Sequence, residues 1–247
     1  ELREDSSFRM SPLKISFSLI TGNTRLVIVN SPSNPTGAMM TSCEANDFFN
    51  LAEEKDIYLL SDEAYSDLTY GFPHFSPCIG DGCKERTVLL GSFSKSFSMT
   101  GWRLGYAVGP EEVIAKMGIL LQTIVSCLPP FIQEAGVYAL KDGREFTKDL
   151  VRKLNYNREV MVAGLSKLPG VTCIYPEGAF YTFPNIKGTG LTSQEFSDLM
   201  LKEASVAVLP GTNFGKFGEG YIRLLFATHP EVIREALKRI KKVLEDR

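Results

Sequence analysis

The feature that most restricts the fold of this sequence is the repeated order of a short apolar run, a polar turn and an amphipathic helical pattern. The first apolar run, 26–29, ends at Asn30-Ser31-Pro32, and a helical pattern follows at 43–55. Further apolar runs lie at 57–60, 87–90 and 104–108, and further helical patterns at 111–121 and 131–140. This alternation predicts α/β layers around a mostly parallel sheet.

The second half of the chain has a different pattern. A long helical stretch, 144–167, ends at Pro169-Gly170 and leads to shorter elements. Strands are predicted at 171–175, 179–183, 206–209 and 221–225, and helices at 193–204 and 230–245. This mixture predicts an α+β unit. We therefore expect one domain over 1–150 and a second over 151–247, with a soft boundary near 145–165.

Charge and composition restrict the classes of partner. The 27 Lys and Arg residues against 29 Asp and Glu residues leave a net charge of −2, which gives no general attraction for nucleic acid. No apolar run approaches the roughly 20 residues that span a bilayer. Five cysteines without a CxxC pair are expected to be reduced thiols, and His74 and His229 lie too far apart in sequence to suggest a metal. We expect a cytoplasmic protein with no membrane or nucleic-acid partner and no metal.

A lysine and an arginine lie where two apolar runs meet turns. Lys95 ends the motif Ser92-Phe93-Ser94-Lys95, and Arg103 follows eight residues later at the entry to the next run. Ligands favour strand ends, and a partly desolvated amine can attack an aldehyde cofactor. Together the two serines, the lysine and the arginine would form an anion pocket. Alone, the residues also fit a loop lysine and an arginine in a salt bridge at a strand edge.

An acid and a tyrosine follow the run at 57–60, within Ser61-Asp62-Glu63-Ala64-Tyr65. A buried carboxylate opposite a pyridine nitrogen keeps that nitrogen protonated, so that the ring can accept electrons. Tyr65 could then donate a hydrogen bond to a phenolate oxygen of the same ring. An acidic turn after a strand is the other interpretation of this segment.

An amide and a second arginine complete the candidates. Asn34 lies in Ser33-Asn34-Pro35-Thr36-Gly37, where the X-Pro steps impose a rigid path that could hold one amide, although a plain β-turn explains the motif as well. Arg223 lies in an apolar run, where a buried guanidinium needs a partner. A substrate α-carboxylate would serve, and so would Glu177 or Glu219.

Taken together, and in their order along the chain, the five motifs resemble those of class I aminotransferases of fold type I, which use pyridoxal 5′-phosphate (PLP). The resemblance covers residues 25–247, and the segments SPSNPTG and MTGWRLGYAVGP are most similar to the aspartate/aromatic/alanine branch. It implies the three-layer α/β PLP-dependent transferase fold, truncated at the N-terminus, with a smaller α+β C-terminal domain. Domain 1–150 would then be a partial PLP-binding large domain, and 151–247 the small domain.

The resemblance also implies how the cofactor ring is held. Lys95 would form an imine with PLP and carry the substrate proton, and Asp62 would pair with the pyridine nitrogen. Tyr65 and Asn34 would contact the 3′ oxygen. These roles imply transfer of an amino group between an L-amino acid and a 2-keto acid.

The remaining implied roles concern the phosphate and the substrate. Ser92, Ser94 and Arg103 would hold the phosphate, whereas Asn34 and Arg223 would bind the substrate, with Arg223 on its α-carboxylate. Family members usually carry a longer segment ahead of Leu26. Without it, apolar edges and faces of the large domain would be exposed, so a homodimer or a higher assembly is expected. Two alternatives stay open: another fold-type I reaction such as that of a lyase, and a non-catalytic remnant that binds PLP weakly or only mediates association.

Overall fold

The computed structural model describes residues 2–12, 15 and 19–247. The chain divides into two compact units. The sheet unit consists of Met10–Pro32 and Met39–Leu150, and the C-terminal unit consists of Glu1–Arg9, Ser33–Ala38 and Val151–Arg247. The short segments at the N-terminus and around Asn34 therefore group with the C-terminal residues, a long-range association that local sequence patterns do not reveal.

The sheet unit is built on four strands in the order β1-β2-β3-β4. They are β1 (Leu26–Asn30), β2 (Tyr58–Asp62), β3 (Thr87–Ser92) and β4 (Gly105–Val108). The first three strands are parallel, whereas β4 is antiparallel to β3. The predicted mostly parallel sheet is confirmed. Because β2 and β3 are adjacent and parallel, their carboxyl ends lie at the same edge, which is where ligands of open α/β sheets bind.

Helix α1 (Ser42–Glu54) covers one face of this sheet. Thr41 and Glu44 form a capping box, in which each side chain accepts a hydrogen bond from the other residue's backbone N–H. The helix buries Phe48, which packs with Leu59 of β2 in the main apolar cluster of the unit. The sequence pattern predicted this helix to within one residue at each end.

The loop between β2 and β3 is organised by Asp81. Its carboxylate accepts hydrogen bonds from the backbone N–H groups of Cys83 (2.9 Å) and Arg86 (2.8 Å) and from both the backbone and the hydroxyl of Thr87. Burial opposes ionisation of this carboxyl, but the hydrogen bonds outweigh it and lower the pKa of Asp81 to about 2. Asp81 thus fixes the start of β3.

We expect Asp81→Ala to lower the free energy of unfolding at pH 7 by about 1–3 kcal/mol, because several backbone donors lose their acceptor. A lowered native pKa stabilises the fold above the unfolded-state pKa, and this contribution is lost as the pH falls from about 4 to about 2. The difference between wild type and variant, measured by urea unfolding, should therefore shrink over that range. Asp47→Ala, at an exposed position of α1, is the control. A loss no larger than that of the control, or one independent of pH, would contradict this role.

Helices α2 (Phe93–Ser96), α3 (Glu111–Val125) and α4 (Pro130–Asp142) follow, and α5 (Arg144–Leu165) continues into residues of the C-terminal unit. Many large apolar side chains of α3 and α4 are exposed, including Ile124 at 76% and Phe131 at 67%. Ile28 on edge strand β1 is exposed as well. Exposed large apolar residues in this number are typical of surfaces that another segment or chain covers.

The C-terminal unit contains a small antiparallel sheet in the order β5-β7-β6. Its strands are β5 (Tyr181–Thr182), β6 (Leu209–Pro210) and β7 (Ile222–Leu225). Its later helices are α6 (Ser193–Leu199), a π-helical turn (Met200–Ala204) and α7 (Pro230–Glu245). The predicted α+β character is confirmed, and α7 begins and ends where its pattern predicted.

Four predictions in this unit need correction. The strand at 179–183 is limited to Tyr181–Thr182. The strand at 171–175 is wrong: only Thr172 makes a bridge, to Asn185, while Tyr175 hydrogen-bonds to Glu159 of α5 and its ring lies against Arg158. The helix at 193–204 changes to π geometry for its last five residues. The strand at 206–209 begins only at 209. At 171–175, contacts with α5 outweigh the local β preference.

Candidate active site

Asp62 and Tyr65 lie at the carboxyl end of β2. Asp62 is the last residue of the strand, and its Oδ1 accepts a hydrogen bond from the backbone N–H of Ala64 at 3.2 Å. The Asp62 carbonyl accepts hydrogen bonds from the Asn30 side-chain amide at 3.1 Å and from the Ser31 N–H at 3.2 Å, which ties the turn to β1. Tyr65 is buried. The acid and the phenol are therefore held in a rigid turn.

Lys95 lies at the end of the neighbouring strand, β3. Ser92, the last strand residue, caps α2 by accepting the Ser94 N–H at 3.2 Å, and Lys95 lies in the single turn that follows. The Lys95 Nζ is 5.7 Å from the centroid of the Tyr65 ring. The structure thus brings together a lysine and a tyrosine that belong to separate sequence motifs.

Arg103 lies at the same end of the sheet, because Ser92 pairs with Gly105 and the Phe93 N–H donates to the Leu104 carbonyl at 3.2 Å. Arg103 is exposed, adopts a left-handed backbone with φ of 53°, and its Nη1 donates to the Thr100 carbonyl at 2.9 Å. The predicted compact pocket of Arg103 with the two serines and the lysine stays a prediction, since this hydrogen bond is to the arginine's own loop.

Glu63, a buried acid within the turn between Asp62 and Tyr65, is not among the residues that the sequence predicts for the site. Glu63 is 6% exposed; its carboxylate accepts a hydrogen bond from the Ser76 hydroxyl and lies 2.9 Å from His74 Nε2. Burial favours the neutral acid, but the His74 and Ser76 hydrogen bonds outweigh this effect and lower the pKa of Glu63. Its backbone N–H also donates to the Leu90 carbonyl of β3 at 2.9 Å. Glu63 therefore anchors the turn between Asp62 and Tyr65.

In the C-terminal unit, the structure brings Asn34 and Arg223 together although they are far apart in sequence. Arg223 Nη1 donates to the Asn34 Oδ1 at 2.8 Å. The loop that carries Asn34 is held by hydrogen bonds from the Glu177 and Gly178 N–H groups to the Gly37 carbonyl, at 2.9 and 3.0 Å. Gly37 has a φ of +71°, and a Cβ there would lie 2.4 Å from Pro176 Cβ, so only glycine fits this approach.

The two acids considered as partners of Arg223 are engaged elsewhere. Glu177 forms an ion pair with Arg9. Glu219 accepts the Ser193 N–H at 2.8 Å, and this hydrogen bond together with that from Gly220 lowers its pKa. Arg223 is half-buried, in contact with an amide and two aromatic rings. Binding of a substrate α-carboxylate by Arg223 stays a prediction.

The sequence also does not predict that these two rings lie beside Arg223. The Arg223 Cζ lies 4.5 Å from the centroid of Tyr181 and 4.9 Å from that of Phe214. Tyr181 follows Gly178-Ala179-Phe180, and Phe214 lies three residues after Gly211. Their spacing from Arg223 gives no sign of contact, because β5, which carries Tyr181, and the turn after β6, which carries Phe214, meet Arg223 only through the pairing of β5 and β6 with β7.

The family of this chain follows from comparison with known protein families. Residues 11–240 match the family model described as aminotransferase class I and II. The chain belongs to this family. The match includes each of the candidate residues at the ends of β2 and β3 as well as Asn34 and Arg223.

Two relatives illustrate the relation to this aminotransferase family. The chain is 41% identical over 246 residues to an aspartate aminotransferase of Pyrococcus horikoshii, covering 99% of this chain and 62% of the relative. It is 41% identical over 247 residues to aromatic-amino-acid aminotransferase 2 of Thermococcus litoralis, covering 99% of this chain and 63% of that one. The chain thus spans just over three fifths of the curated relatives' length.

Comparison with solved structures tests the predicted fold. The chain matches the aromatic aminotransferase from Pyrococcus horikoshii with a TM-score of 0.94 at 40% identity, covering 99% of this chain and 66% of that one. It matches an aspartate aminotransferase from Rhizobium meliloti with a TM-score of 0.92 at 34% identity, covering 98% of this chain and 63% of that one. The predicted PLP-dependent transferase fold is confirmed.

Further observations concern other predicted properties. All five cysteines are free thiols, with Cys78 and Cys83 buried. Within residues 2–12, 15 and 19–247, no helix combines the length and the apolar character that crossing a bilayer requires. Over the same residues, no three His, Cys, Asp or Glu side chains are grouped as metal ligands.

Proposed function

We propose that this chain carries the catalytic residues of a PLP-dependent aminotransferase that moves an amino group between an L-amino acid and a 2-keto acid. The observation that carries the proposal is the position of Lys95, with its Nζ 5.7 Å from the Tyr65 ring, beside the carboxyl end of β2 where Asp62 lies. The relatives' names, aspartate and aromatic-amino-acid aminotransferase, support this class of donor.

The donor set of the sheet unit fits PLP chemically. An amine, an acid and a phenol lie at or just after the ends of adjacent strands, two hydroxyls lie at the end of β3 or just beyond it, and a guanidinium lies just before β4. These groups match an aldehyde, a pyridine nitrogen, a phenolate oxygen and a phosphate, respectively. Ser92, Ser94 and Arg103 would then bind the phosphate. In this proposal the sheet unit is the cofactor-binding domain.

When bound, PLP supplies an electron sink that allows the Cα–H bond of an amino acid to break. The Asp62 carboxylate would hold a proton on the pyridine nitrogen, and Tyr65 and Asn34 would donate hydrogen bonds to the 3′ oxygen. The Lys95 amine would hold the cofactor by its aldehyde carbon, and it would be the base that takes the proton from the substrate's Cα and returns it to the cofactor. Arg223 would orient the substrate by its α-carboxylate.

We also propose that the whole protein works as a homodimer. The many exposed large apolar side chains of α3 and α4 support association, since scattered single residues are common on a surface but such numbers on two successive helices are not. A cytoplasmic location stays a prediction of the sequence.

The proposal is tested by incubating the chain and PLP with L-aspartate or L-phenylalanine, with and without a 2-keto acid acceptor. With acceptor present, we expect the donor's keto acid and the acceptor's amino acid to form in equal amounts over many turnovers; without it, keto acid should stop at one equivalent of the added PLP. Release of ammonia without acceptor would indicate a lyase instead. Bound PLP with no exchange of amino groups would indicate the non-catalytic alternative.

A further inference from the structure

The rings beside Arg223 come from chain segments on both sides of its strand. Tyr181 belongs to β5 and Phe214 follows β6, and β7, which carries Arg223, lies between those two strands. Leu209 of β6 pairs with Arg223, so the chain passes beside the arginine before it turns to present Phe214. The guanidinium therefore lies near one ring from each side of its own strand.

The two rings differ in how firmly they are held. Tyr181 is 7% exposed, whereas Phe214 is 38% exposed. Phe214 nevertheless packs against another ring: Phe183 lies edge-on to it, with ring centroids 6.1 Å apart. Phe183 in turn stacks on Tyr221, with centroids 5.2 Å apart. Phe8, from the N-terminal segment, packs edge-on against both Phe183 and Tyr221. An aromatic cluster thus backs the exposed ring that contacts Arg223.

We infer that Phe214 is a positioning residue for Arg223, and that with Tyr181 it keeps the guanidinium oriented toward a carboxylate. Aromatic rings within about 6 Å attract the guanidinium and cover its faces, while its N–H groups lie in its plane. One such N–H already donates to Asn34. A guanidinium restrained in this way loses less rotational freedom when a carboxylate binds bidentately.

This inference rests on the proposed role of Arg223 in binding the substrate carboxylate, but its test needs no cofactor. The probe is 3-phenylpropionate, and its neutral amide is the comparison ligand, both titrated against the full chain by calorimetry. We expect Phe214→Leu to weaken binding of the carboxylate by about threefold to tenfold. Phe214→Tyr should retain wild-type affinity, because it keeps an aromatic ring, and binding of the amide should change in neither variant.

Phe217→Leu is the matched control, since Phe217 lies in the same loop, is 56% exposed and contacts Lys216. A second measurement follows the Arg223 side-chain N–H signals by NMR: they should be resolved in wild type and Phe214→Tyr, and averaged by faster rotation in Phe214→Leu. Equal carboxylate affinity in wild type and Phe214→Leu, an equal loss in Phe217→Leu, or no preference of the wild type for the carboxylate would overturn the inference. Failure of the chain to bind PLP at Lys95 would instead overturn the proposed function and leave this result standing.

Discussion

Replacing Lys95 by alanine is expected to abolish amino transfer, with a loss of at least about 10³-fold in turnover. In the proposed mechanism the same amine holds the cofactor and moves the Cα proton, so both functions are lost together. The position of the amine supports this dual role, since its Nζ lies 5.7 Å from the Tyr65 ring, beside the end of β2. The rate of keto-acid formation from L-aspartate or L-phenylalanine measures the loss.

Lys84→Ala is the matched control for this variant. Lys84 is an exposed lysine of the loop before β3 and belongs to no part of the candidate site. It should retain wild-type turnover. Comparable turnover in Lys95→Ala and Lys84→Ala would contradict the assignment of Lys95. Added methylamine, which can replace a missing amine in proton transfer, should restore a small part of the activity of Lys95→Ala alone.

Replacing Asp62 by asparagine is expected to lower turnover by about 10²- to 10³-fold while the fold is retained. The substitution keeps the size of the side chain and the oxygen that accepts the Ala64 N–H at 3.2 Å, but removes the negative charge. Without that charge the pyridine nitrogen is no longer held protonated, so electrons released at Cα are less stabilised. The assay is the same keto-acid measurement, made at saturating PLP.

Asp67→Asn serves as its control, because Asp67 is an exposed acid in the same turn region and is not assigned to the site. We expect it to keep near-normal turnover. If Asp62→Asn retained full activity, or if Asp67→Asn lost as much, the carboxylate of Asp62 would not be the partner of the cofactor nitrogen.

Much of the sheet unit could be predicted from the sequence, because its strands are short apolar runs followed at once by polar residues. Strand β3 was predicted over 87–90 and extends to Ser92, and β1 was predicted over 26–29 and extends to Asn30. Parallel strands need crossovers, so their carboxyl ends and the residues that follow them share an edge. That geometry is why the sequence predicts that Asp62 and Lys95 lie at the same edge of the sheet.

The parts that could not be predicted depend on contacts between distant segments. Phe214 and Tyr181 reach Arg223 only because β5 and β6 flank β7, and no local periodicity encodes that order. In the sequence, Glu63 does not differ from other acids in turns; its role depends on contacts with His74 and Ser76, which are 11 and 13 residues away. Such tertiary contacts are selected by packing and hydrogen bonding, which sequence spacing alone does not reveal.

The identity of the lysine that binds PLP can be measured directly by chemical trapping. PLP is added to the purified chain, the imine is reduced with borohydride, the protein is digested, and the pyridoxyl group is located by mass spectrometry. We predict a single major label on the peptide that contains Lys95, accompanied by loss of an absorption band near the visible edge. A label spread over exposed lysines such as Lys84, or no label above that of Lys95→Ala, would show that Lys95 does not bind the cofactor.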